Sequence, residues 1–244
     1  MPCVRTEKGG TEMLHTQTVQ RKTFELLTKL MQDPMLQGFN LAGGTALALY
    51  MGHRMSIDLD LFTPDEFDTE RLDAYLTEHY GLHTTFKRNF TLKGIIDGVA
   101  IDCIRYAYPY LAPVTVENGI RLYSKQDIAA MKLSAIADNG TRLKDFIDIA
   151  YLSTLMSLEE MLTAYDTKFP NSTRLRAIKG LGYYEDIDFN EPIMLLEGKF
   201  EWKAIAQRLT DMAKHDTELF DMPPVRKIGI PSVSPKKKTS KPKI

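Results

Sequence analysis

The sequence predicts an α+β fold, with a mixed β-sheet flanked by helices and followed by a helical C-terminal region. Three observations predict it. Between Phe39 and Tyr123, apolar runs of strand length alternate with turn signals. Two of those signals are Asp97-Gly98 and Asn118-Gly119, dipeptides that tolerate the positive φ angles a two-residue hairpin demands. From Ser124 onward the apolar residues recur at helical spacing and the strand signals stop.

The chain has 244 residues, of which 43% are hydrophobic, enough for one large domain or a compact domain with a helical extension. The expected division is an α+β core over 11–123, a helical region over 124–222 and a basic tail over 223–244. That tail is dominated by proline, serine and lysine, a composition that does not support a packed core. Charged residues make up 26% and the formal net charge is −1. This balance gives no sign of bulk nucleic-acid binding, though it permits a local basic groove. Two cysteines, Cys3 and Cys103, exclude a disulfide framework or a zinc cluster built on cysteine alone. They suit a reducing cytoplasm. No apolar run approaches the length of a membrane span, and the N-terminus has no signal-peptide core. The expected localisation is therefore cytoplasmic, with no membrane partner.

A helix is expected over about Thr16 to Gln32, with an apolar stripe at Val19, Leu26, Leu27 and Leu30, ended by Asp33-Pro34. A buried strand follows from Phe39 to Ala42, then a break at Gly43-Gly44-Thr45 and a helix from Ala46 to Met51, stopped by Gly52. Ser56 to Phe62 reads as extended. Asp68 or Thr69 caps a helix to Tyr80 that Gly81 stops. Its end carries His79 and His83, read as surface groups. Thr91–Ile96 and Val99–Arg105 form one hairpin, Val114–Glu117 and Ile120–Tyr123 another. Ser124 and Asp127 stand at capping-box spacing before a helix ending at Asn139-Gly140. Further helices are expected from Thr141 or Arg142 to Met156, from Ser157 to Lys168, from Ser172 to Gly180 and from Trp202 to His215. Tyr183-Tyr184 reads as packing in preference to a base-stacking platform.

The chemistry concentrates between Phe39 and Phe62, FNLAGGTALALYMGHRMSIDLDLF. Strand side chains alternate faces, so Asp58 and Asp60 share one face while Ile57, Leu59 and Leu61 take the other. Two such carboxylates lie roughly 6.5–7 Å apart along the backbone, within reach of one hard cation or a pair. Gly43 and Gly44 let the backbone turn tightly and approach a ligand. The helix that follows offers unpaired N–H groups to a polyphosphate, with the Thr45 hydroxyl as a further donor. Asp102 lies between Ile101 and Cys103 in an apolar run, where a carboxylate needs a partner, a metal or an edge position in water. Lys132 sits mid-helix among apolar residues, where it either snorkels outward or meets an anion. Lys144 and Asp148 stand four residues apart, as in a surface ion pair.

Gly44-Thr45, twelve residues, then Asp58-Leu59-Asp60 resembles the signature of the DNA polymerase β-type nucleotidyltransferase superfamily. The fuller wording LAGGTALALYMGHRMSIDLDLF resembles the AbiEii/AbiGii toxin branch. So does KQDIAAMKLSAIADNGTRLKDFIDIAYL, from Lys125 to Leu152. The resemblance covers roughly Phe39 to Leu155, and its two blocks stand in the expected order. It implies a nucleotidyltransferase that moves a nucleoside monophosphate from an NTP to a hydroxyl. Asp58, Asp60 and Asp102 would hold two Mg²⁺ ions. Gly43, Gly44, Thr45 and Lys132 would bind the triphosphate, and Asp145 and Asp148 would orient Lys132 or the nucleotide.

The resemblance also implies an antitoxin protein as partner and an RNA 3′ end, such as tRNA, as acceptor, with a protein hydroxyl as the alternative. Arg54, Lys87, Arg88, Lys93 and Arg105 are the candidates for a basic groove beside the metals. Two rival readings use the same pocket: a nucleotide- or antitoxin-binding module without chemistry, and a metal-dependent phosphohydrolase.

Overall fold

The computed structural model describes residues 13–225. Cys3 and most of the proposed basic tail lie outside them. Seven strands form one mixed sheet in the order β3-β4-β5-β2-β1-β7-β6. They are β1 (Asn40–Leu41), β2 (Leu59–Thr63), β3 (His83–Arg88), β4 (Thr91–Ile96), β5 (Val99–Arg105), β6 (Thr115–Glu117) and β7 (Ile120–Leu122). β2 runs parallel to β5 and antiparallel to β1, and β1 runs parallel to β7. The two predicted hairpins are present, with Asp97 at φ 50° and Asn118 at φ 51° in their turns.

Eight helices occur among the described residues: α1 (Arg21–Gln32), α2 (Gly43–Met51), α3 (Thr69–Tyr80), α4 (Lys125–Asp138), α5 (Leu143–Leu152), α6 (Leu158–Lys168), α7 (Arg174–Leu181) and α8 (Trp202–Lys214). Their ends follow the expected chemistry. The Asp68 carboxylate accepts from Arg71 N and opens α3. The Ser124 hydroxyl accepts from Asp127 N, and Ser157 with Glu160 forms a complete capping box. Gly52 and Gly81 close α2 and α3 in the left-handed region. α2 is the middle of the molecule. Gly44 through Leu49 are all buried, because α4 and α5 pack on one side of it and β2 on another. Such a helix is apolar all round instead of amphipathic.

Several boundaries differ from the sequence reading. Thr16–Thr18 forms a short 3₁₀ turn and Val19 bridges Ser56, so α1 begins only at Arg21. β3 was not expected, since every one of its residues is exposed and an edge strand in water carries no apolar alternation. α5 spans Leu143–Leu152, shorter at both ends than expected. One apolar cluster includes Leu41, Leu47 and Leu59 together with Ile128, Leu133, Phe146 and Ile149, and it reaches Val225. The core is therefore continuous across position 123, and the site described next draws on both sides of it. Of the tyrosine pair read as packing, Tyr184 packs edge-on against Phe146 and Trp202 while Tyr183 is exposed.

Candidate active site

Pairing of β1 with β2 sets the first wall of the site. Asn40 faces Phe62 and Leu41 faces Leu61, and Ala42 N donates to Asp60 O at 2.8 Å. This brings the start of α2 against the Asp60 side chain. Gly43 adopts φ +66°, and a Cβ there would lie 1.9 Å from Asp60 Oδ2. A Cβ on Gly44 would lie 2.5 Å from Arg54 Nη2. The two glycines thus make room for a carboxylate and a guanidinium that belong to the protein itself. Thr45 is fully buried, and its hydroxyl donates to Asp58 O at 2.5 Å and lies 2.8 Å from Ser56 Oγ. In this arrangement the hydroxyl fixes the backbone beside Asp58, which stands just before β2, and turns away from the cleft that the sequence reading assigned it to.

Asp60 and Asp102 are Cα partners on parallel β2 and β5, so both carboxylates rise from one sheet face. Lys93 is the cross-strand partner of Asp102 on β4, and its ammonium is paired with that carboxylate. Among the described residues no cation forms such a pair with Asp60. Burial first, then the charges of Asp58 and Asp102, push its carboxyl up to about 6 against the opposing pull of Lys132 and Arg142. Among the described residues no three His, Cys, Asp or Glu side chains gather into a ready-made metal cluster. The donor set still suits Mg²⁺, which takes one or two carboxylates and completes its shell with water and substrate phosphate oxygens. Asp58 and Asp60 would supply those carboxylates, and Asp102 would join them only if Lys93 moved aside.

Behind this wall lies a buried charge network that spacing alone does not show. Asp148, fully buried, accepts from Arg54 Nε at 2.7 Å and Nη2 at 2.9 Å, and pairs with Lys132 Nζ at 2.8 Å. His53 Nε2 lies 2.8 Å from its Oδ1. Burial alone would raise the Asp148 carboxyl, but Arg54 and Lys132 hold it well below the usual carboxylate range. Burial holds His53 below its ordinary value despite Asp148, so the neutral ring donates through Nε2. Lys132 Nζ also donates to Asp145 Oδ1 at 2.6 Å. The expected surface pair between Lys144 and Asp148 does not form. Lys144 binds Glu191 at 3.0 Å, and Asp148 points inward because α5 packs that face against α2 and α4.

The two walls enclose a cleft of about 270 Å³. Gly43, Gly44, Asp60, Lys132, Arg142 and Asp145 form its polar side, while Phe62, Tyr106, Ile128 and Met131 form the apolar side. Phe62 and Tyr106 stack at 5.5 Å. Arg142 and Lys93 were not assigned these places from the sequence. The Lys93–Asp102 pairing was legible, because counting outward from the Asp97-Gly98 turn gives that register. Of the five cations expected to form a basic groove, only Arg88 and Lys93 share the sheet face of Asp102. Arg54 is buried on Asp148. Lys87 faces α3, bound to Glu70 and Asp73. Arg105 pairs with Glu66 and covers the Phe90 ring.

Comparison with known proteins agrees with this geometry. The chain matches the family described as "Nucleotidyl transferase AbiEii toxin, Type IV TA system" over residues 25–117 and 98–227. An uncharacterized protein of Aquifex aeolicus (strain VF5) is 32% identical over 174 residues, which are 69% of this chain and 84% of that protein. MenT4, a nucleotidyltransferase toxin of Mycobacterium tuberculosis H37Rv, shares the fold with a TM-score of 0.53 at 14% identity, over 87% of this chain and 91% of that one. A structure from H. pylori described as a candidate nucleotidyltransferase superposes with a TM-score of 0.51 at 17% identity, over 81% of this chain and 96% of its own. No described helix is long and apolar enough to cross a membrane. With its glycine turn, Asp60 and the Lys132 network in one cleft, the chain belongs to the AbiEii nucleotidyltransferase toxin family of type IV toxin–antitoxin systems.

Proposed function

We propose that the protein carries out Mg²⁺-dependent transfer of a nucleoside monophosphate from an NTP to the terminal hydroxyl of an RNA, with tRNA the favoured class. The observation that carries this reading is the meeting of Asp60 with Gly43, Gly44, Lys132 and Arg142 in one cleft, with Asp58 near enough for its charge to raise the Asp60 carboxyl. The triphosphate lies along the glycines and the cationic side, with its α-phosphorus at the aspartates. The acceptor oxygen forms a bond to that phosphorus as the α–β bridging bond breaks, and pyrophosphate leaves. In this reading Asp102, once released by Lys93, receives the hydroxyl proton and passes it to solvent. Bound Mg²⁺ would neutralise the leaving charge and acidify the attacking hydroxyl. Lys132, Asp145 and Asp148 hold the cationic side rigid in a region of low dielectric.

The acceptor reading rests on the sheet face beyond Asp102. Phe86 and Ile95 are exposed there, next to Lys93 and Arg88 in register. An aromatic ring with neighbouring cations suits a single-stranded end, which stacks its bases and pairs its phosphates. A cognate antitoxin, as the family description implies, is the expected protein partner.

The deciding experiment gives each of four α-labelled NTPs, with Mg²⁺, to cellular RNA and to cellular protein. Label in RNA, falling steeply with added salt, is the expected result. Label in protein alone overturns the RNA acceptor and keeps the reaction class. Release of phosphate or pyrophosphate without label in either favours hydrolysis. No turnover with either acceptor favours the binding module.

A further inference from the structure

Two cations line the polar side of the cleft, and they differ in what already holds them. Lys132 lies between Asp145 at 2.6 Å and Asp148 at 2.8 Å, and its side chain is only 6% exposed. Moving it to a phosphate would strip two buried carboxylates of a counter-charge. Arg142 follows α4 and leads into α5. Its side chain is 58% exposed, and its contact with Asp145 is 3.8 Å, the outer limit of an ion pair. Asp145 above all, against burial, and then Asp60 and Asp58 raise its pKa. The guanidinium therefore stands in the field of the metal-binding aspartates without being locked to them.

We propose that Arg142 grips the phosphate tail of the bound nucleotide beyond the α-phosphorus, while Lys132 positions the carboxylates beneath it. This rests on the NTP reading of the cleft. Chemistry favours the assignment. A guanidinium presents a planar fork that matches two phosphate oxygens at once, and it is more weakly hydrated than an ammonium. An exposed arginine at the mouth can change partners as nucleotide enters. A buried lysine with two carboxylates cannot do so without unmaking the network. Asp145 then has two tasks: it holds Lys132 and keeps Arg142 beside the cleft before nucleotide arrives.

The test is equilibrium binding by calorimetry on the full chain, with Ca²⁺ replacing Mg²⁺ to hold turnover. The mono-, di- and triphosphates of each nucleoside are titrated. Wild type should bind the triphosphate more tightly than the monophosphate. Arg142→Gln should weaken triphosphate binding about ten- to hundredfold, the range of a charge-assisted contact, and leave monophosphate affinity and the melting temperature unchanged. Arg142→Lys should fall between them. Triphosphate affinity equal to wild type in Arg142→Gln overturns the proposal while the site reading stands. Equal loss for mono- and triphosphate also overturns it, because that pattern marks a general structural role. If wild type binds no triphosphate, the site reading falls first and the proposal with it.

Discussion

Gly43 is denied a side chain by Asp60: a Cβ at position 43 would lie 1.9 Å from the Asp60 Oδ2. The same residue holds φ at +66°, where an L side chain is strained. Two independent physical reasons therefore require glycine at this position, and the first of them involves a carboxylate proposed to hold the metal.

Gly43→Ala should displace the Asp60 carboxylate, destabilise the fold by about 1–3 kcal/mol and reduce transfer at least about a hundredfold, the scale of a 1 Å misplacement. Gly81 has nearly the same φ, +67°, with nothing within 4 Å of its would-be Cβ. Gly81→Ala should show the strain alone, about 1 kcal/mol, and retain activity. Thermal melts and label transfer on the two variants separate the contributions. Full activity in Gly43→Ala would remove Asp60 from the site.

Lys132→Met should fail first as a folding variant. It leaves Asp145 without its buried counter-charge and Asp148 with Arg54 alone, a loss of about 3–5 kcal/mol for a broken buried pair. No carboxylate lies one helical turn from Lys132 in the sequence. Both partners come from α5 instead. Urea unfolding of Lys132→Met beside Arg142→Gln checks this, and equal stability of the two would contradict the network's role.

Asp58→Asn with Asp60→Asn should abolish Mg²⁺-dependent transfer while the melting temperature stays at the wild-type value or rises, since two neighbouring like charges are removed. Unchanged transfer by the purified double variant would remove these aspartates from the chemistry.

Asp60 also sets a pH dependence for the metal-free protein. Its folded-state carboxyl titrates at about 6, above the ordinary 3.8. The folded state thus holds this proton more tightly than the unfolded chain. The associated stability is fully present below pH 3.8 and is lost as pH rises through about 6, on the order of 3 kcal/mol at 1.36 kcal/mol per unit. His53, held low by burial, acts in the reverse sense, losing stability as pH falls through the unfolded imidazole value. The difference between wild type and Asp60→Asn isolates the aspartate. Urea midpoints in chelator from pH 4 to pH 7.5 should show that difference grow with pH, and a flat difference would contradict the burial of Asp60.

The sequence by itself determined the elements whose causes are local. Asp97-Gly98 and Asn118-Gly119 turn because their φ angles are positive, Ser124 and Ser157 cap because their hydroxyls reach the third helical N–H, and Asp60 shares a face with Phe62 because strands alternate, whereas Asp58 and the exposed Ile57, expected in the same strand, stand just before it. The Lys93–Asp102 register was present in that same local information. What only the tertiary structure decided concerns residues far apart in the chain. α5 packs against α2, so Asp148 meets Arg54 and His53 across more than ninety positions, and the apparent surface pair with Lys144 becomes a buried carboxylate. Arg54 turns inward and leaves the expected basic groove, Thr45 turns its hydroxyl to the backbone beside Asp58, and Arg142 alone of the two cleft cations stays exposed. A sequence window reports propensity and periodicity. Which polar group meets which charge, and which is left facing the cleft, depends on packing between segments that no window contains.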